Sequence, residues 1–157
     1  MDTILKSAIN ILEQNTLLTL TTVDKNQPCS CTAYYVFDEE LNLYIWTDPQ
    51  TLHCKNIERN PKVSVSIFNS GQEWGSFLQG LQTLGKAIVV SEKELTKAGN
   101  LYLQRYPQSS NFVKTPKDFH SEKFQSRIYK IELEKIKVLD EKIFGKEEFR
   151  ELTIKRS

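Results

Sequence analysis

Thr47, Thr51, His53 and Lys55 place two hydroxyls, an imidazole and an ammonium within nine residues of one another. The stretch that carries them, residues 44–61, reads as a strand running into a short helix and out into a second strand. Tyr44, Ile45 and Trp46 are strand formers. Asp48 suits a helix N-cap and Pro49 the first helical position, where its missing N–H costs nothing. Pro61 disfavours helical geometry before it, so the helix ends by about Asn60. The first N–H groups of such a helix have no partner inside it and carry partial positive charge, which suits a phosphate. Local chemistry alone favours a plainer reading. Asp48 caps the helix, puts its own charge where an anion would sit, and leaves the others as surface residues.

The remaining reactive residues form no second constellation. Cys29 and Cys31 are two apart on a strand and could be drawn with Cys54 and His53 as a zinc site. Structural zinc usually takes pairs spaced by two to four residues, so buried thiols acting as small apolar groups are the better reading, and no metal is expected. His120 falls in an irregular stretch and is expected to be solvated. Trp46, at a strand end, reads as core; Trp74, between Gly71 and Gly75, reads as a lid. No Ser/His/Asp order, glycine-rich nucleotide loop or carboxylate pair stands out.

These residues must be positioned by the rest of the chain. Its 157 residues make one domain with room for a core, and a net charge of +1 gives no case for a nucleic-acid partner. The N-terminus lacks the pattern of a signal peptide, and no apolar run suits a membrane span. Three cysteines suggest reduced thiols and a cytoplasmic setting. Ile4, Ala8, Ile11 and Leu12 recur at helical spacing over residues 2–14. Strands follow at 17–23, 29–37 and 43–46 with short turns, an antiparallel meander. Val63, Val65 and Ile67 alternate with polar residues through 62–69, and another strand is expected over 76–90. Ser91 and Glu94 make a capping box opening a helix to about Arg105. Residues 107–116 read as a mobile loop, 124–138 as the last strand, and 142–157 as a charged tail outside a domain of 1–141. The expectation is a mainly β, α+β fold: a six-stranded antiparallel split β-barrel with peripheral helices.

Residues 44–61 resemble the FMN-binding split-barrel family typified by pyridoxamine 5′-phosphate oxidase. The likeness rests on Thr47 at a strand end, Thr51 with His53 opening the helix, and Asn60-Pro61 before the next strand. It extends over about residues 3–135 in element order. Thr51-Leu-His53 with Phe144-Gly-Lys146 looks like a small bacterial branch of the superfamily. The resemblance implies a homodimer with two flavins at the subunit interface. It puts the FMN phosphate against Thr47, Thr51 and His53, with Lys55 and Asn56 as further contacts. The isoalloxazine ring would lie along the backbone at Ala33, Tyr34, Tyr35 and Val36. Gln79 and Gln82 would contact the ring or ribitol, and Lys146 would reach the partner's site.

Two departures bear on function. The oxidase carries an arginine and a lysine on the strand before Thr47, where this chain reads Cys31-Thr-Ala-Tyr-Tyr-Val36 without a cation. His53 stands where lysine is common, and a histidine is largely neutral at pH 7. The oxidase's C-terminal substrate pattern is not visible either, so vitamin B6 oxidation is not expected. The leading expectation is a dimeric FMN-dependent oxidoreductase acting on an unidentified small substrate beneath the 107–120 loop. The alternative is a non-catalytic module that sequesters flavin or haem. A scaffold without ligand is a third reading.

Overall fold

A computed structural model describes residues 2–156. The chain runs α1 (Thr3–Gln14), β1 (Leu17–Asp24), β2 (Gln27–Phe37), β3 (Leu43–Thr47), α2 (Leu52–Arg59), β4 (Lys62–Phe68), β5 (Gln79–Val89), α3 (Glu92–Arg105), β6 (Arg127–Asp140), α4 (Glu141–Phe144) and β7 (Phe149–Thr153). Two 3-10 turns, Pro107–Asn111 and Pro116–His120, lie between α3 and β6. Residues 107–120 are therefore more ordered than an irregular loop. Asp118 ties them down by accepting the N–H groups of Lys114 and Thr115, both at 2.8 Å. Among the described residues, no helix is long and apolar enough to cross a membrane.

The strands pair antiparallel in the order β3-β2-β1-β4-β5-β6, and β3 pairs with β6 to close a six-stranded barrel. β6 explains why the barrel is split. One of its edges pairs with β5 along its length, while the other gives residues 127–131 to β3 and residues 135–139 to β7. The seventh strand corrects the reading of 142–157 as a charged tail. Its alternation of charged and apolar residues is that of an edge strand: Leu152 and Ile154, with Phe144 before them, pack on the barrel core. Glu141 fixes the turn into it, accepting the N–H groups of Leu78 and Glu147 at 2.9 Å each.

Two apolar clusters result. Leu18, Leu20, Tyr35, Ile45, Val65, Leu81 and Ile131 fill the barrel with α1 against it. Val36, Tyr44, Leu95, Ala98, Tyr102, Phe119 and Ile128 form a second core between the outer barrel wall and α3 with its following turns. Successive residues of β2 thus face opposite layers, as strand geometry requires. The Ser91 N–H donates to the Glu94 carboxylate at 3.3 Å, the back-bond of the expected capping box. Tyr102 Oη donates to the carbonyls of Tyr34 and Tyr44, and Tyr106 Oη to that of Tyr35 at 2.6 Å. These bonds fasten the end of α3 over β2 and leave a gap beside it.

Candidate functional site

The helix opening differs from the expectation in a way that matters. α2 begins at Leu52, with Thr51 at the cap position, and Asp48 is three residues outside it. Asp48 Oδ1 instead accepts the Gln50 N–H at 2.8 Å, closing a local turn through Pro49. Thr51 makes no capping side-chain bond. The amides of the first turn therefore lack a partner within the helix, with no carboxylate cap over them. The carboxylate that weakened the sequence reading is engaged with the Gln50 N–H, not with the amides of α2.

Thr47, Thr51 and His53 do meet. His53 Nε2 lies 2.8 Å from Thr47 Oγ1 and 3.1 Å from Thr51 Oγ1. Thr51 Oγ1 donates its one hydrogen to the Asp48 carbonyl at 2.7 Å, so towards His53 it accepts. The geometry therefore assigns the imidazole hydrogen to Nε2, shared between the two threonines. Thr47 accepts from it and keeps its own hydroxyl hydrogen for a further acceptor. Burial lowers the His53 pKa below its ordinary 6.5, so the ring is neutral at pH 7. The cluster offers hydroxyl and amide donors, and its histidine contributes no lasting charge.

The other sequence candidates separate. Tyr34 is 62% exposed on the outer face of β2, whereas Tyr35 is buried and its hydroxyl donates to Leu12 O at 2.8 Å inside the barrel. Only the backbone of Tyr35 can face a ligand outside. Lys55 is exposed on α2. Asn56 is buried, its Nδ2 donating to Thr22 Oγ1 at 3.1 Å while Oδ1 has no partner. Gln82 pairs with Lys137 on β6, ten residues beyond the Arg127 that pairs with Thr47. That is roughly 33 Å of strand. Gln79 pairs with Asp140, farther still, and Lys146 is exposed beyond α4. One subunit does not bring Gln79, Gln82 or Lys146 to Thr47.

What does lie beside Thr47 is a groove of about 1010 Å³. Its floor is the outer side of β2, where Thr32 and Tyr34 present side chains and Ala33, packed on the barrel core, presents backbone. Trp46 and Thr47 form one end, and Tyr102, Arg105, Tyr106, Ser109 and Phe112 form the far wall. Trp46 Nε1 donates to Phe119 O at 3.0 Å, and its ring meets Phe119 and Phe124 edge-on. It is core, as its strand-end position suggested, and it also shapes the groove. Arg105 lines the wall yet donates to the Leu12 carbonyl at 2.8 Å and lies over the Tyr35 ring. Trp74 is fully exposed on the β4–β5 loop. His120, expected to be solvated, is half-buried, and its Nε2 accepts the Ile128 N–H at 2.9 Å. Cys54 is buried, Cys29 and Cys31 are half-buried, and burial pushes the Cys31 thiol up to about 11.

The sequence model of the family described as pyridoxamine 5′-phosphate oxidase matches residues 5–140. The chain belongs to this family. A relative, UPF0306 protein PM1958 of Pasteurella multocida (strain Pm70), is 29% identical over 136 residues, covering 86% of this chain and 83% of its own length. Among solved structures, a heme binding protein from Mycobacterium smegmatis superposes with TM-score 0.76 at 14% identity. That match covers 98% of this chain, which spans 59% of the other. A FAD-binding protein from Mesorhizobium loti gives 0.64 at 16% identity, covering 87% of this chain and 92% of its own. At these identities the structural likeness shows the fold shared across the family and does not select a ligand.

Proposed function

We propose that this family member binds FMN, with the ring in the groove over β2 and the phosphate at the Thr47, Thr51 and His53 end. The observation that carries the reading is that the groove reaches Thr47, whose hydroxyl is bonded to His53 at an uncapped helix start. A groove of about 1010 Å³ with an apolar wall and a few convergent donors fits a flavin-sized ligand. A phosphate monoester fits the donor set, since amides and a hydroxyl are hydrogen-bond donors that suit phosphate oxygens. Bound there, the flavin would supply hydride or electron transfer. The protein's part is to lay the ring against the exposed β2 backbone, hold the phosphate, and cover the ring with the 107–120 segment. A small substrate oxidised or reduced beneath that segment makes the protein an FMN-dependent oxidoreductase.

The reading includes a homodimer. Gln79, Gln82 and Lys146 would reach the flavin only from a second subunit. The outer face of β5 also leaves Leu84 and Ile88 56% and 58% exposed, a surface suited to a partner. A heme-holding module fits the described residues less well. His53 Nε2 faces two threonines and His120 Nε2 already accepts a backbone N–H, so neither presents a free Nε2 to iron.

The absorbance spectrum of freshly purified protein is the direct test. Flavin bands that bleach on adding NAD(P)H support the oxidoreductase, flavin bands that do not bleach favour a sequestering module, and a Soret band favours heme. Thr51→Ala with His53→Ala should weaken FMN about tenfold or more. Unchanged affinity would refute the phosphate placement.

A further inference from the structure

The phosphate end proposed above lacks the cations that the oxidase carries on the strand before Thr47, and the tertiary structure sets an arginine from elsewhere across from Thr47. Arg127, the first residue of β6, is the direct cross-strand partner of Thr47 on β3. In antiparallel pairing such partners put their side chains on one face with Cβ atoms about 5 Å apart. Arg127 is half-buried and makes no ion pair among the described residues. Its Nη1 donates to the carbonyls of Phe124 at 2.7 Å and Ser126 at 2.8 Å, with a longer contact to Gln125 at 3.4 Å. Nε and Nη2 have no partner among the described residues. The guanidinium is thus held through Nη1 to the entry of β6, with Nε and Nη2 left over, on the residue that stands across from Thr47.

The other cations near the groove do not offer this. Arg105 is spent on the α1 carbonyls and stacked on Tyr35, and Lys55 is an exposed flexible side chain. Asp48, the carboxylate next in sequence to Thr47, is turned to the Gln50 N–H.

We propose that Arg127 provides the lasting positive charge at the Thr47 end of the groove and makes the site select a phosphomonoester-bearing flavin over an unphosphorylated one. This rests on the FMN reading above. Charge-assisted bonds to phosphate are about twice as strong as neutral ones, so one arginine compensates for much of what a neutral His53 lacks.

The test is fluorescence titration of FMN and of riboflavin into the unmodified chain, Arg127→Gln and Arg127→Lys. Arg127→Gln is expected to lose about tenfold or more in FMN affinity and little for riboflavin, while Arg127→Lys keeps part of the preference. An equal loss for both flavins, or an unchanged FMN preference, would overturn the proposal while leaving the groove reading intact. Binding of neither flavin by the unmodified chain would overturn the groove reading, and Arg127 with it. A second measurement needs no variant: raising salt should weaken FMN and spare riboflavin in the unmodified chain. FMN affinity independent of salt would overturn the role of Arg127 even if the substituted chains unfolded.

Discussion

His53 and His120 each serve as neutral rings, His53 as a donor to two threonines and His120 as an acceptor from a backbone amide. Burial lowers both pKa values from 6.5, and for His120 the charge of Arg127 adds to it. The sign of the linkage follows. As pH falls below 6.5 the unfolded chain takes up protons that the folded chain refuses, so stability present above that value is lost towards the depressed folded pKa. Ordinary carboxyls titrate near 4, beneath this window. Urea unfolding is expected to show a lower midpoint at about pH 5.5 than at about pH 7.5. Glutamine at both positions should flatten the difference, and a slope unchanged in that double variant would place its origin elsewhere.

At the scale of elements, the roof of the groove depends on how closely α3 meets the turn at Pro116. Gly99 lies on the buried face of α3, and a Cβ there would stand 2.6 Å from Pro116 Cα and 2.6 Å from Pro116 Cβ. Backbone cannot yield as a flexible side chain can. Gly99→Ala should therefore push the 107–120 segment outward and cost about 1–3 kcal/mol. Gly80→Ala meets first the ring of Phe68, a side chain that can swing aside, and should cost less. Equal Tm values for the two variants would contradict this account of the roof. Flavin affinity should follow Gly99→Ala and not Gly80→Ala, because only the first moves a wall of the groove.

The whole molecule depends on β6, which closes the barrel at one end and carries β7 at the other. Ending the chain at Asp140 removes β7, the Glu141 bonds and the apolar cover of Phe144, Leu152 and Ile154. A loss of about 3 kcal/mol or more is expected in urea unfolding; a dispensable tail would change nothing. Assembly belongs to this scale as well. Sedimentation should give a dimer, and Leu84→Glu with Ile88→Glu should yield folded monomers that bind FMN more weakly, since Gln79, Gln82 and Lys146 would then be out of reach. A double variant that remains dimeric would mean that another face pairs the subunits.

Period and turn chemistry carried most of the architecture. The alternation of Val63, Val65 and Ile67, the capping pair Ser91 and Glu94, and the short meander turns are local signals, and local signals survive folding. The meeting of Thr47, Thr51 and His53 was legible for the same reason, because all three lie within one strand-to-helix passage. The helix start was misread at Asp48 because Asx turns and N-caps draw on the same residue types. β7 was hidden by its charges, which an edge strand tolerates on its open face. Arg127 was beyond reach of any local pattern. Eighty residues separate it from Thr47, and only the closure of β3 against β6 decides that the two stand side by side. Sequence determined which groups could hold an anion here; the register of the closed barrel decided that an arginine stands across from one of them.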